Sequence, residues 1–178
     1  MSKKQIIFAA LILIPVLAFS YRVKSVYTNE GSDKGSKLNI EWNRFDKGVE
    51  LARKENKMLV VDFYTDWCQW CKVMDKETYK NAGVVDYTRK KVVMAKINAE
   101  TSERFKFGDA MYSGRELSMM FGVNGFPSTV FISSTGELIT SISGFIPAQR
   151  FTCIVQYLAE DWYQKVKFED FEKKECGL

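Results

Sequence analysis

The chain has 178 residues, of which 46% are hydrophobic and 14% aromatic, so it is not largely disordered and can bury one ordinary core. Its formal net charge is only +4 and includes Lys3 and Lys4, which argues against a nucleic-acid partner. The chain lacks histidine, which excludes Cys–His and Ser–His dyads and removes the commonest metal ligand.

Residues 1–20 have the pattern of an export signal. A short basic start precedes the apolar run Ile6–Phe19, which is shorter than the roughly 20 residues that a membrane-spanning helix requires. Small residues before Tyr21 predict cleavage at that position. The alternative is an uncleaved segment that anchors the protein in the membrane. Both interpretations predict export, to the periplasm or an equivalent compartment.

The rest of the chain divides into three parts. Residues 21–37 are rich in Ser, Gly, Asn and Lys and predict a flexible leader. Residues 38–164 contain the apolar patterns of a folded domain. Residues 165–178 are acidic and basic, and they predict a solvated tail.

The first predicted elements of the domain surround a pair of cysteines. Asn43 is a candidate cap for a first amphipathic helix. Met58–Tyr64 is almost wholly apolar, as in a strand that is covered on both faces. Cys68 and Cys71 follow this strand and open a helix that extends to about Tyr79.

Helix and strand patterns then alternate to the end of the domain. They are a short helix from Val84, a strand over Val92–Ile97, a loop with some helix over 101–113, a helix over Arg115–Phe121, strands over Ser128–Ile132 and Glu137–Ser143, and a last helix after Pro147. This order predicts an α/β domain with a central mixed sheet and helices on both faces.

A Cys-x-x-Cys pair has three interpretations: a redox site, half of a zinc site, or accidental spacing. Zinc would need two further ligands, and only the isolated Cys153 and Cys176 remain. The position of the pair, where a buried strand turns into a helix, favours the redox site. There the helix dipole stabilises an anion on Cys68, which makes the thiol a better nucleophile. Cys71, one turn along, can resolve a mixed disulfide.

In this segment the chain resembles the thioredoxin superfamily. The similarity rests on Trp67–Lys72, on Val93–Asn98, on Gly125–Thr129 with its proline, and on Gly144, and it extends over residues 38–162. The approach to the first strand is similar to exported thioredoxin-related proteins and to the C-terminal domain of the transmembrane disulfide reductases (DsbD-like). The resemblance implies a thioredoxin-like fold.

The resemblance also implies roles for five residues. Cys68 is the attacking thiolate and Cys71 the resolving thiol. Asp62 is a buried acid that exchanges a proton with Cys71, and desolvation raises its pKa. Lys96 faces Asp62 and balances its charge. Pro127 adopts the cis form, which costs little only for proline.

Four residues are candidate substrate-binding positions: Trp67, Trp70, Phe126 and Pro127. The resemblance implies that the Phe126 backbone pairs with a substrate strand. We expect Trp70 to form an apolar rim and Trp67 to contribute mainly to packing. Gln69-Trp70 replaces the Gly-Pro of many thioredoxins and leaves the direction of electron flow open. The insertion 101–115 either shapes partner choice or is inert surface.

Cys153 and Cys176 carry little information in the sequence. Cys153 lies beside the apolar face of the last helix, so we expect it to be partly exposed. Cys176 lies near the charged end. The two can pair with each other, link two chains or stay free, and the sequence does not choose.

The sequence therefore predicts an exported thiol–disulfide oxidoreductase that uses no cofactor and no metal. We expect a reductase of exported proteins, kept reduced by a thiol–disulfide partner in the membrane. The alternatives are a disulfide oxidase or isomerase, and a non-catalytic module of the same fold that binds Cu(I) or an unfolded polypeptide.

Overall fold

The computed structural model describes residues 39–178. The predicted export segment, 1–20, and the predicted leader, 21–37, lie outside the described residues. Its strands are β1 (Trp42–Asn43), β2 (Met58–Tyr64), β3 (Val92–Asn98), β4 (Arg104–Phe107), β5 (Ala110–Ser113), β6 (Ser128–Ile132) and β7 (Leu138–Ser143). Its helices are α1 (Phe45–Glu55), α2 (Gln69–Glu77), α3 (Ala82–Lys91), α4 (Gly114–Met120), α5 (Ala148–Ala159) and α6 (Phe168–Phe171), with a 3₁₀ turn (Trp162–Gln164) and a π turn (Glu172–Cys176). Within 39–178, no helix is both long enough and apolar enough to cross a membrane.

Five strands form a mixed sheet in the order β1-β3-β2-β6-β7. Strand β3 runs parallel to β1 and β2, whereas β6 is antiparallel to β2 and to β7. Strand β2 therefore lies at the centre of the sheet, where its backbone is paired on both edges. The predicted α/β domain with a mixed central sheet is confirmed.

The two faces of β2 pack against different helices. Leu59, Val61 and Phe63 belong to an apolar core that includes residues of α1 and α4. Val60 belongs to the core on the other face, with residues of α2, α3 and α5. Because side chains alternate along a strand, Asp62 shares the face of Val60 and lies under α2.

The segment 101–113 is a β-hairpin, and the prediction of a loop with some helix is wrong. Strands β4 and β5 pair around Gly108 and Asp109, and Gly108 has the positive φ of 61° that such a turn uses. Phe105 is buried and its ring lies 6.3 Å from that of Phe45 on α1. Phe105 is therefore part of the core on the face of the sheet opposite to Asp62. At this residue the insertion is not inert surface.

Three helix ends differ from the prediction. Asn43 is not a cap: it lies in β1, and its side chain donates a hydrogen bond to the Met94 carbonyl at 3.1 Å. Helix α2 ends before Tyr79. Helix α3 begins two residues before Val84, because the Asn81 side chain accepts hydrogen bonds from the first free N–H groups of the helix.

The C-terminal segment is attached to α5 rather than free in solvent. Cys153 is 2% exposed and forms a disulfide with Cys176, so the expected partial exposure of Cys153 is wrong. Phe171 is also buried, and its ring lies 5.3 Å from that of Tyr157. The charged side chains of 165–178 are largely solvated as expected, but the segment as a whole is part of the packed structure.

Gly114 provides a test of the join between the hairpin and α4. A methyl group at this glycine would overlap the backbone carbonyl of Asn98, at the end of β3. We expect Gly114→Ala to lower the free energy of unfolding by about 1–3 kcal/mol, measured by urea denaturation. Gly125→Ala is the matched control, since a methyl group there meets nothing within 4 Å. Equal stability of the two variants would contradict the close approach.

Candidate active site

Cys68 and Cys71 form a disulfide at the start of α2. Cys68 is the N-cap of the helix, and its sulfur accepts a hydrogen bond from the Cys71 N–H at 3.0 Å. Each residue is only 4% exposed. The unpaired N–H groups and the dipole at this end of α2 favour negative charge on the Cys68 sulfur once the disulfide is reduced.

Asp62 is a buried carboxyl group in the middle of β2. It is 1% exposed, and one of its oxygens, Oδ2, lies 3.2 Å from the Lys96 ammonium on β3. Its other oxygen, Oδ1, has no hydrogen-bond partner among the described residues. Burial raises the pKa of Asp62 from 3.8 to about 6, against the opposing effect of Lys96. This carboxyl group can therefore gain or lose a proton near neutral pH.

Lys96 connects Asp62 to a second carboxylate, that of Asp75 on α2. Its ammonium forms ion pairs with both, and the side chains are 2% exposed at Asp62, 18% at Lys96 and 43% at Asp75. Burial alone would lower the pKa of Lys96, but the two carboxylates outweigh it and raise the pKa. Three rings also lie within 4.9–5.8 Å of the ammonium: those of Trp42, Tyr64 and Tyr79. Lys96 is thus held as a cation between a buried and a partly exposed acid.

The sequence predicted site roles for Asp62 and Lys96 but not for Asp75 and Tyr79. Helical spacing could have identified both, since Cys71, Asp75 and Tyr79 follow one another at intervals of four residues. That spacing aligns them along the same side of α2 and its C-terminal turn. Through its contact with Lys96 on β3, this side of α2 is joined to the paired strands β2 and β3, and β2 carries the buried Asp62.

The loop before β6 brings Pro127 to the cysteine end of β2. Ser128 pairs with Phe63 in the sheet, so Pro127 lies one residue beyond that pair. The Phe126–Pro127 peptide bond is cis, and the Pro127 carbonyl accepts a hydrogen bond from the Gly144 N–H at 2.8 Å. Gly144 has a φ of 97°, a conformation that favours glycine.

Both tryptophans of the cysteine segment are exposed. Trp67 is 63% exposed, so the expectation that it serves mainly in packing is wrong; its indole N–H donates to the Glu100 carboxylate at 3.1 Å. Its ring lies 6.0 Å from that of Phe126. Trp70 is 60% exposed, and its ring lies 5.8 Å from that of Phe145. These four aromatic residues form an apolar rim next to the disulfide.

The family model of the thioredoxin-like domain matches residues 45–159, which include the cysteine pair, Asp62, Lys96 and Pro127. The chain belongs to the thioredoxin-like domain family.

Two relatives and one solved structure illustrate the similarity. This thioredoxin-like chain is 25% identical over 133 residues to a protein disulfide-isomerase of Datisca glomerata, covering 75% of the chain and 24% of the relative. It is 27% identical over 119 residues to the thiol:disulfide interchange protein DsbD of Pasteurella multocida, covering 66% of the chain and 18% of the relative. A thioredoxin-fold protein from Helicobacter pylori superimposes with a TM-score of 0.58 at 22% identity, over 69% of this chain and 81% of that one. The chain spans a quarter or less of the two sequence relatives, and the structural match supports the fold.

The position of Cys68 at the helix start predicts unequal thiol reactivity. After mild reduction near pH 7, we expect iodoacetamide to alkylate Cys68 about tenfold faster than Cys71, because a larger fraction of Cys68 is thiolate. Peptide mapping by mass spectrometry measures the two rates. Cys71→Ser should retain the fast reaction and Cys68→Ser should lose it. Equal rates at the two cysteines would refute the assignment.

The raised pKa of Asp62 predicts that its charge destabilises the fold. The folded state binds this proton more tightly than the unfolded chain, so the stabilisation from protonated Asp62 is full below pH 3.8 and is lost as the pH rises through about 6. Asp62→Asn should therefore raise the free energy of unfolding by about 3 kcal/mol at pH 8 and hardly at all at pH 4. Urea denaturation of the oxidised protein at both pH values measures the difference.

Asp75→Asn is the matched control for that experiment. It removes the other carboxylate that pairs with Lys96, but from a side chain that is 43% exposed. We expect only a small change in stability at either pH, since solvent screens such a pair. A pH-independent effect of Asp62→Asn, or an equal effect of Asp75→Asn, would contradict the assignment of the pKa to burial.

Proposed function

We propose that this chain is an exported thiol–disulfide oxidoreductase that reduces protein disulfides through Cys68 and Cys71. The observation that carries the proposal is the disulfide at the N-terminus of α2, on the helix that contacts the pair formed by Asp62 and Lys96. Membership of the thioredoxin-like family supports it, as do relatives named for disulfide chemistry.

The first step is attack by the Cys68 thiolate on one sulfur of a substrate disulfide. A bond forms between Cys68 and that sulfur, and the substrate disulfide breaks and releases a substrate thiolate. The helix start favours the thiolate form of Cys68. The apolar rim and the Phe126 backbone offer contacts to an extended substrate segment next to the reacting sulfur.

The second step is resolution by Cys71. Its thiol transfers a proton to the Asp62 carboxylate, and the resulting thiolate attacks Cys68. The mixed disulfide breaks, the second substrate thiolate leaves, and Cys68–Cys71 becomes the disulfide seen in this structure. Two electrons pass from the cysteine pair to the substrate. A carboxyl group with a pKa of about 6 can accept that proton and release it again near neutral pH.

Renewed turnover requires a dithiol donor that reduces Cys68–Cys71. Under this proposal the donor is a membrane thiol–disulfide protein and the substrates are exported proteins with disulfides. The apolar run within 1–20 supports export, as a cleaved signal or as an anchor. The similarity to DsbD, named a thiol:disulfide interchange protein, supports a role in passing electrons between thiol pairs.

A disulfide isomerase is the second candidate. The Datisca glomerata relative has that name, and Gln69-Trp70 differs from the Gly-Pro dipeptide of many thioredoxins. The two functions use the same sulfur chemistry and differ in the reduction potential of the cysteine pair. The potential therefore distinguishes them.

We predict a reduction potential for Cys68–Cys71 close to that of thioredoxin, about −270 mV. Equilibration with glutathione buffers, followed by alkylation and mass spectrometry of the peptide that carries the pair, measures this value. A potential near −180 mV would favour the isomerase, and one near −120 mV would refute the reductase. The Cys68→Ser variant is the control, and it should fail to reduce insulin disulfides under conditions in which the native chain succeeds.

A further inference from the structure

Several buried polar atoms lack hydrogen-bond partners among residues 39–178, and three of them belong to Asp62 and two residues beside it. These three atoms are Oδ1 of Asp62, the hydroxyl of Tyr79 and Oγ1 of Thr129. Their residues are 1%, 3% and 0% exposed. Buried polar groups are nearly always paired in folded proteins, so three unpaired ones on neighbouring elements need an explanation.

The fold brings these three atoms together. Asp62 on β2 and Thr129 on β6 are directly paired in the sheet. Tyr79 follows α2, and its ring packs edge-on against those of Trp42, at 4.9 Å, and Phe151, at 5.5 Å. This packing fixes the hydroxyl beside Asp62 and Thr129, close enough to interact with both but outside hydrogen-bond geometry.

The chemistry of the three groups determines which of them donates and which accepts each hydrogen bond. Burial, and then the Asp62 carboxylate, raise the pKa of Tyr79 well above its ordinary value, so the hydroxyl keeps its proton and can donate it in a hydrogen bond. An ionised Asp62 has only acceptor atoms, and Lys96 faces Oδ2. Oδ1 is therefore the acceptor that remains for Tyr79, and the Tyr79 oxygen can accept in turn from Thr129.

We propose that Tyr79 is a positioning residue that donates a hydrogen bond to Oδ1 of Asp62 whenever that carboxyl group is ionised. The inference rests on the proposed function, in which Asp62 accepts the proton of Cys71. No proton leaves Tyr79 in this scheme; the bond orients the carboxylate and stabilises its charge, and it weakens when Asp62 takes up the proton. A hydrogen bond to an ionised acceptor is stronger than one to a neutral group. This added strength brings the Tyr79 hydroxyl within hydrogen-bond distance of Oδ1.

The groups that face Asp62 shift its pKa in different directions. Lys96, from β3, lowers the pKa of Asp62, and so does Tyr79. Asp75, from α2, raises it. Thr129, from β6, carries no charge. Loss of the Tyr79 hydroxyl should therefore raise the pKa of Asp62.

Tyr79→Phe tests the proposal, because the ring and its packing remain. NMR titration of the Asp62 carboxyl carbon, assigned with Asp62→Asn, gives the midpoint of ionisation without any activity assay. We expect this midpoint to rise by about one pH unit. The rate at which Cys71 resolves a mixed disulfide on Cys68 should show the same upward shift of its pH midpoint, whereas a merely structural role for Tyr79 would leave the midpoint in place.

Tyr87→Phe is the matched control. The Tyr87 hydroxyl also donates to a carboxylate, that of Glu160 at 3.0 Å, but Tyr87 is not among the groups that shift the pKa of Asp62. It should leave the Asp62 midpoint unchanged. Thr129→Val should give a smaller shift in the same direction as Tyr79→Phe, and Thr129→Ser should restore the native value. The Thr129 variants also carry the test if Tyr79→Phe does not fold.

An Asp62 midpoint that is the same in Tyr79→Phe and in the native chain would overturn the inference. The proposed function fails in a different way: Asp62→Asn would then leave the rate of resolution and its pH profile unaltered. If Asp62→Asn slows resolution while Tyr79→Phe moves neither midpoint, the function stands and the role of Tyr79 is refuted.

Discussion

The free-energy cost of burying the Asp62 carboxylate inside the sheet determines which residues surround it. Asp62 lies on the central strand, with its backbone paired on both edges and helices on both faces, so water cannot solvate its charge. Such a group either stays protonated or needs a cation and hydrogen-bond donors close by. Lys96 is the cation, and its own position depends on Asp75 and on the rings around it. The residues behind the disulfide are thus arranged around the buried Asp62.

Helix α2 couples the sulfur chemistry to this acid. Its first turn carries Cys68 and Cys71, and its second turn carries Asp75, which holds Lys96 against Asp62. Under the proposed function, this helix therefore sets the electrostatics at the attacking sulfur of Cys68, and it also carries the partly exposed Asp75 that Lys96 links to the buried Asp62. The loop that carries Pro127 is held by the hydrogen bond from the Gly144 N–H to the Pro127 carbonyl.

The parts of this arrangement that the sequence predicted are those that local pattern determines. Strand β2 is an apolar run, interrupted within the strand by Asp62, because both of its faces are buried, and the two cysteines follow it closely. The hairpin over 101–113 was missed because Phe105, Phe107 and Tyr112 are the residues of this segment that pack against the core, too few to outweigh the polar residues between them. Helical spacing aligns Tyr79 with Cys71 and Asp75, but its position beside Asp62 and Thr129 was missed because those residues lie on strands far away in the sequence. The pairing of Cys153 with Cys176 depends in the same way on the C-terminal segment folding back over α5.

The second disulfide has a consequence for the maturation of the protein. Cys153–Cys176 has to be oxidised once, as the polypeptide folds, whereas under the proposed function Cys68–Cys71 is reduced again in every cycle. Under the proposed function both events take place in the same exported compartment, so solution conditions alone do not separate them. Burial of the cysteines does not separate them either, since Cys68, Cys71 and Cys153 are all buried and Cys176 is partly exposed. Their surroundings differ: exposed tryptophans flank the redox pair and offer a partner a surface to recognise. Reductant recognition, rather than ambient redox state, would then decide which of the two disulfides persists in the mature molecule.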